Sequence, residues 1–440
     1  MTMRSLTRAD LVGYGVGQVG GQIYRDMPAI LLLYFMTNTL GIPGLMAGTA
    51  ILIPKIWVVI CDPLVGAWSD QVDTRWGRRR PFLFAGAILS SLALVALFAV
   101  PRFDDPLQSA AYITVMFTIA STAFSLYSVP YLTMATEMTS DYHERSRIMA
   151  YRLIFTAVGM IIGAGASQPL VTWLGTGREA YLIMAALFAS VCLITMLATF
   201  LATLRLPLME ARSAPMSLAG QVRLVSRNRP FMVLASVFLL LSLAQATGYS
   251  VLPFLFHYVV ENDALLLPFI GILGVMTVIS APLWASVTRR IGKVRGFAIS
   301  VIGWAVISVT WLWAGQGGEM RDALVLLRGF LVGLISPGSL VLGLSMLADC
   351  VDHERKTTGE NREGVFAGVW SALEKLAFAG GPFISGAVLS LLGFVESTSG
   401  PVAQTERALT GVYVSLAWIP VAAAAISLLL LRRYPRYSEP

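Results

Sequence analysis

The sequence predicts an all-α membrane protein of twelve transmembrane helices, arranged as two pseudo-symmetric six-helix bundles. Three observations predict it. Of the 440 residues, 56% are hydrophobic and only 13% charged, with a mean hydropathy of +0.72, whereas a soluble domain carries about 25% charged residues. Apolar windows of about 20 residues, the length that crosses a bilayer, recur along the whole chain. Polar landmarks of the first half also return in the second.

The windows lie near 10–36, 43–69, 81–101, 109–136, 146–173, 180–205, 231–259, 264–287, 296–315, 323–349, 364–393 and 409–431. The first follows MTMRSLTRAD, contains Arg25 and Asp26 and shows no cleavage site, so it reads as a retained span and not a signal peptide. Connections after even-numbered spans hold Arg75 to Arg80, Arg145 and Arg147, Arg205 to Arg229, Arg289 to Arg295, and Arg355, Lys356 and Arg362. The ends of the chain hold Arg4, Arg8, Arg432, Arg433 and Arg436. Connections after odd-numbered spans hold only Arg102, Arg178, Arg321 and Arg407, mostly beside acids. Lysine and arginine gather on the cytoplasmic side of a membrane, so both termini are read as cytoplasmic. The net charge of +7 is then a loop property, which excludes nucleic acid as a partner. The short loops suit a bacterial inner membrane.

Span 2 leads into Cys61 to Phe82, CDPLVGAWSDQVDTRWGRRRPF. Its Asp62 sits inside the span, where a charge costs about 2.5–3.5 kcal/mol on insertion scales. The polar stretch LPLMEARSAPMSLAGQVRLVSRNRP, Leu206 to Pro230, reads as a linker between bundles 1–205 and 231–440. Cys61-Asp62-Pro63-Leu64 returns as Ser280-Ala281-Pro282-Leu283, and Met134-Ala135-Thr136-Glu137 returns as Met346-Leu347-Ala348-Asp349. Parallel six-helix repeats are a secondary-transporter architecture, with the site near the midplane.

Cys61, Cys192 and Cys350 fit neither a metal spacing nor a disulfide framework, and His143, His257 and His353 carry no metal spacing. No metal, cofactor or catalytic constellation is expected, and the chain is not read as an enzyme. Gly15-Val16-Gly17-Gln18-Val19-Gly20 matches GxGxxG, but it follows no strand and opens no soluble βαβ unit. Gly13, Gly17 and Gly21, four residues apart, are expected to line one close-packing helix face, as are Gly159 and Gly163.

Tyr14-Gly15-Val16-Gly17, Tyr34-Phe35, Thr39-Leu40-Gly41, the Asp62 to Phe82 run, Ala348-Asp349-Cys350-Val351-Asp352, Gly359, Arg362-Glu363-Gly364 and Lys375 resemble the major facilitator superfamily. Within it they resemble the glycoside–pentoside–hexuronide:cation symporter family (melibiose permease-like). The similarity covers nearly the whole chain. It implies the major facilitator fold and coupling of a sugar-like solute to Na⁺, Li⁺ or H⁺. It also implies that Asp62 is a cation-site carboxylate, that Lys375 of span 11 supports it, and that Lys55 and Arg152 match family basic positions. Val58, Gln22 and Ser128 stand where the family carries further carboxylates. A hard cation wants several oxygen ligands, so this pattern favours H⁺ over Na⁺.

The candidate cation-coupling residues are therefore Asp62, Lys375 and Lys55. The candidate solute residues are Gln22, Arg25, Asp26, Trp57, Tyr127, Ser128, Arg152 and Glu374. Each has a structural alternative. Asp62 can be a partner of Lys55 or Lys375, Arg25 and Asp26 can be an internal ion pair, and Gln22 and Ser128 can bond a neighbouring helix. Trp57 and Tyr127 can be packing aromatics, and Glu374 points about 100° away from Lys375 around the helix. Asp70, Arg78, Arg79, Arg80, Glu137, Asp141, Arg145, Asp349, Asp352 and Arg362 are read as a cytoplasmic gate. The expected activity is cation-coupled symport of a sugar- or glycoside-like small solute by alternating access, in a monomer embedded in the lipid bilayer. A lysophospholipid or organic-anion symporter of the same fold is the alternative.

Overall fold

The computed structural model describes residues 6–139, 141–204, 206, 218–358 and 362–435. Arg4, Arg205, Gly359, Arg436 and linker residues 207–217 lie outside them. The described residues are helical, with no strand among them. Two compact units emerge: Met1–Pro215 with Glu396–Val402, and Met216–Val395 with Ala403–Pro440.

In the first unit, span 1 comprises Arg8–Gly15 and, after a break at Val16, Gly17–Asn38. Span 2 is Gly44–Gln71, span 3 Arg80–Phe98 and span 4 Pro106–Glu137. Span 5 runs from Tyr142–Met160 through a wide turn at Ile161–Gly165 into Ser167–Leu174, and span 6 is Arg178–Thr203. In the second unit, span 7 runs from Arg229–Ser250 to Leu255–Val259, span 8 is Leu266–Ile291 and span 9 Lys293–Thr310. Span 10 comprises Arg321–Ile335 and Pro337–Thr358, span 11 is Glu363–Leu391, and span 12 runs from Glu406–Tyr413 to Ile419–Leu431. Eleven of these are long and apolar enough to cross a membrane. Span 1 falls short because Gln18, Gln22, Arg25 and Asp26 interrupt it.

Local chemistry sets the ends. Asp105 caps span 4 through the Leu107 amide at 2.9 Å, with Pro106 at the first turn. Asn228 caps span 7 through the Phe231 amide at 3.0 Å. These side chains accept from amides that the helix itself leaves open. Span 5 stops at Gly175, whose φ of 106° a side-chain-bearing residue adopts only with strain.

Glycine lets span 1 approach its neighbours closely, though along a different line from the expected one. Gly13, Gly17 and Gly20 face Ala202, Thr199 and Cys192 of span 6, whereas Gly21 meets only Phe124 at 3.9 Å. The helix turns 3.6 residues at a time, so a 13–17–20 line follows one face better than steps of four. On its other side, Gly159 and Gly163 of span 5 lie against Val19 and Ile23. Tyr14 and Tyr131 stack at 4.6 Å and exchange bonds, each hydroxyl donating to the other's carbonyl (2.7 and 3.2 Å). That reciprocal pair pins span 1 to span 4. The second unit packs around Phe231, Trp284, Phe297, Phe366 and Trp370, with Phe238 stacked on Trp370 at 3.8 Å.

Candidate functional site

Span 1 carries a polar track at four-residue spacing. Gln22 Nε2 donates to Asp26 Oδ2 at 2.7 Å, and Gln18 Nε2 reaches Gln22 Oε1 at 3.5 Å. Arg152 Nη2 of span 5 donates to Gln18 Oε1 at 3.2 Å, and its guanidinium lies 5.5 Å from the Tyr131 ring. Arg152 Nε is buried with no hydrogen-bond partner, so the track ends on a spare donor. Gln22 and Asp26 are 7% and 5% exposed, which places both inside the bundle. Arg25 Nε lies 3.9 Å from Asp26 Oδ1 with its side chain 45% exposed. A solute or coupling-ion role for these residues and an internal brace share this geometry, because a buried carboxylate needs donors and cations in either case.

Asp62, two turns beyond Lys55 on span 2, accepts a hydrogen bond from Ser125 Oγ of span 4 at 2.5 Å. Ser125 rather than Ser128 therefore meets the carboxylate. The two serines are three positions apart, so they sit about 60° apart around the helix. The Ser121 carbonyl oxygen lies 3.0 Å from Ser125 Oγ and competes for the same proton, a four-residue step that the sequence displays and that marks this face. Lys55 Nζ lies 5.0 Å over the Phe117 ring of span 4. Trp57 Nε1 donates to Thr122 Oγ1 at 2.9 Å, tying span 2 to span 4. Tyr127 is 1% exposed and stacks on Tyr131 at 5.4 Å, so it packs within the bundle and presents no open face. Sequence reasoning passed over Gln18, Ser125 and Tyr131. The signal for Gln18 was present as the 18–22–26 spacing, but nothing local to Tyr131 announces its neighbours.

The charged span ends form one network in each unit. Arg79 donates to Glu137 Oε1 from Nη2 at 2.9 Å and from Nε at 3.2 Å, and to Ser69 Oγ at 2.6 Å. It pairs with Asp70 at 2.5 Å, and Arg78 reaches Glu137 at 3.4 Å. In the second unit Lys293 pairs with Asp349 at 2.7 Å. The acid ending span 4 and its counterpart on span 10 thus each hold the base that opens the preceding span, 3 or 9. The repeat goes further. Glu144 accepts from the Leu6 amide at 2.9 Å, and Glu354 accepts from Asn228 at 3.1 Å and Arg362 at 3.2 Å. Glu144 was read as part of the gate cluster around Asp141, whereas Lys293 and Glu354 were not among the expected gate residues.

Three of the expected gate residues bind backbone at helix ends: Asp141 at the start of its own helix, Arg80 and Arg145 at the ends of spans 6 and 4. Arg80 donates to the carbonyls of Thr203, Trp76 and Leu206. Asp141 caps span 5 through the Glu144 amide at 2.8 Å, and Arg145 Nε donates to Thr139 O at 3.0 Å. Asp352 is exposed. Glu374 and Lys375 are half-buried on span 11 of the second unit. Among the described residues, no three His, Cys, Asp or Glu side chains converge on a metal position.

Comparison with known proteins agrees with this architecture. The family model for MFS/sugar transport proteins matches residues 13–436. A putative glycoside/cation symporter, YagG, of Escherichia coli (strain K12) is 24% identical over 98% of this chain and 93% of its own length. The isoprimeverose transporter of Lactiplantibacillus pentosus is 25% identical over 96% of this chain and 87% of its own. A glucuronide carrier protein homolog of Escherichia coli is 26% identical over 98% and 93%. Among solved structures, a bacterial homolog of the human lysosomal transporter Spinster superposes with a TM-score of 0.70 at 13% identity, covering 98% of each chain. The nucleoside transporter NupG superposes with a TM-score of 0.65 at 14% identity, covering 97% of this chain and 98% of its own.

Proposed function

This chain belongs to the family of MFS/sugar transport proteins, which makes it an integral membrane transporter and not an enzyme, and from that premise we propose that it is a cation-coupled symporter of a neutral sugar or glycoside. It sits in a bacterial inner membrane with both termini cytoplasmic and moves its solute inward by alternating access. The observation that carries the reading is the track from Asp26 through Gln22 and Gln18 to Arg152, ending on a spare buried donor, with Asp62 held by Ser125 in the same unit. Polar and charged groups inside a span cost several kcal/mol, and so mark a solute or ion pathway. Alternating donors and acceptors match a polyhydroxyl solute. The relatives named as a putative glycoside/cation symporter and an isoprimeverose transporter support the same solute class.

Asp62 loads the ion, Lys55 and Lys375 respond to its charge, and Gln22, Arg25, Asp26 and Arg152 hold the solute. Trp57 shapes the wall between spans 2 and 4, and Glu374 adds an acceptor from span 11. The Arg79 and Lys293 networks hold the cytoplasmic span ends together and release as the halves rock. The coupling ion is H⁺. Val58, one turn before Asp62, is apolar, whereas Na⁺ or another hard cation wants several oxygen ligands. A proton needs a single carboxylate.

The test is solute-dependent proton and sodium flux in reconstituted vesicles, wild type beside Asp62→Asn, over a panel of glycosides and lysophospholipids. Loss of coupled flux with surviving solute exchange is the expected result. Unchanged coupling moves the ion site to Asp26 or Glu374. Flux of lysolipids without glycosides replaces the sugar reading with the lysophospholipid one.

A further inference from the structure

Span 10 is broken within its length, between Ile335 and Pro337. Pro337 has no N–H to give Gly333 O, and the turn through Ser336 opens the next carbonyls as well. Side chains of spans 8 and 9 fill the gap. Ser280 Oγ donates to Gly333 O at 3.0 Å, Trp284 Nε1 to Leu334 O at 2.9 Å, and Ser300 Oγ to Ile335 O at 2.7 Å. The break is thus supported bond by bond. One polar atom is left over: Ser336 Oγ is buried with no hydrogen-bond partner. An unsatisfied buried hydroxyl costs about 1–3 kcal/mol and calls for an explanation.

Ser336 lines a cavity of about 160 Å³ within the second unit. Ser242, Gln245, Thr277 and Ser339 form the rest of its polar fringe, and Phe238, Phe297 and Trp304 give it flat apolar walls. No charged side chain lines it. Gln245 lies in mid-span 7 and is exposed. An amide at that depth faces a water-filled opening and not lipid, since hydrocarbon gives it no partner. A dry engineered cavity of about 150 Å³ takes one benzene ring, so this pocket encloses one six-membered ring, whose hydroxyls and anomeric group reach out along the polar fringe and through the opening beside Gln245. Non-helical backbone at membrane depth occurs where it lines such a cavity.

We propose that the pocket at the span-10 break binds one neutral, hydroxyl-bearing ring, a monosaccharide or the sugar ring of a glycoside. Ser336 Oγ, Ser242 and Gln245 take its hydroxyls, and Trp304 and Phe297 take its apolar face. The choice of a sugar rests on the proposed function, whereas the neutrality and ring size rest on the pocket alone. The test uses the full chain in lipid nanodiscs and the methyl glycosides of glucose, galactose, xylose and arabinose, titrated by saturation-transfer NMR. At least one is expected to bind saturably. Ser336→Ala weakens it about fivefold, the loss of one neutral hydrogen bond, and Ser242→Phe, which fills the pocket, abolishes it. Should Ser242→Phe not assemble, Ser336→Ala decides alone. Absence of binding by all four glycosides, or binding unchanged in the pocket variants, overturns the proposal and leaves the pocket to water or a lipid chain. Binding lost in both variants while no glycoside is carried by wild-type vesicles sustains the pocket and sinks the transport reading.

Discussion

Replacing Arg79 by glutamine removes the one side chain that ties Asp70, Ser69 and Glu137 together. Arg79 is 3% exposed and Glu137 1%, and two guanidinium nitrogens meet the same Glu137 oxygen at 2.9 and 3.2 Å. Breaking a buried pair from one side leaves an uncompensated charge and costs about 3–5 kcal/mol. Arg78 lies 3.4 Å from that oxygen and retains part of the compensation, so about 3 kcal/mol is the expected loss. For a unit of this size that corresponds to a fall in unfolding midpoint of roughly 6–12 °C. The assay is built into the chain: Cys61, Cys192 and Cys350 are in no disulfide and are buried, so a thiol-reactive fluorophore reports their exposure on heating. Arg79→Gln with Glu137→Gln removes both charges and is expected to recover at least about 2 kcal/mol of the loss, as coupled neighbours do. A single variant that loses less than about 1 kcal/mol, the range of a surface pair, refutes the argument. A double variant as unstable as the single one refutes it equally.

Other expectations follow from particular contacts. Ser125→Ala removes a hydrogen bond to a carboxylate, worth about 1.5–3 kcal/mol, and is expected to lower cation-coupled solute flux in reconstituted vesicles about tenfold or more while leaving expression intact. A Cβ on Gly86 meets the Tyr127 backbone nitrogen at 2.5 Å, so Gly86→Ala forces spans 3 and 4 apart. Its thermal unfolding is expected to register an overpacking cost of about 1–3 kcal/mol. Gly175 and Gly177 both face open space, but only Gly175 has positive φ. Gly175→Ala is therefore expected to cost about 1 kcal/mol and Gly177→Ala to leave the midpoint unchanged in the same scan.

Span existence and span ends were legible in the sequence because hydropathy and capping are local. A run such as Leu83 to Phe98 reports its apolarity without reference to any other part of the chain, and bilayer thickness sets its length. The expected windows consequently match the helices to within a few residues, except that span 10 runs nine residues further, to Thr358. The functional candidates were less legible. Asp62 stood out because charge is rare at that depth, and the Gln22–Asp26 spacing placed both on one face. Arg78, Arg79 and Arg80 stood together in the sequence, yet Arg78 and Arg79 lie in the bend before span 3 and only Arg80 is in the helix, and the structure divides their work.

By itself the sequence determined the class of the protein, the number of its spans, the repeat between its halves and the carboxylate at span 2. The tertiary structure alone decided which residue answers each polar group: Ser125 rather than Ser128 for Asp62, Arg79 rather than Arg80 for Glu137, and Ser280, Trp284 and Ser300 for the broken turn of span 10. The reason is rotational. A helix's rotation about its axis and its depth are set by side chains packed against it from spans tens to hundreds of residues away. A shift of one residue, 100° of turn, changes every partner while leaving the hydropathy of the span unaltered.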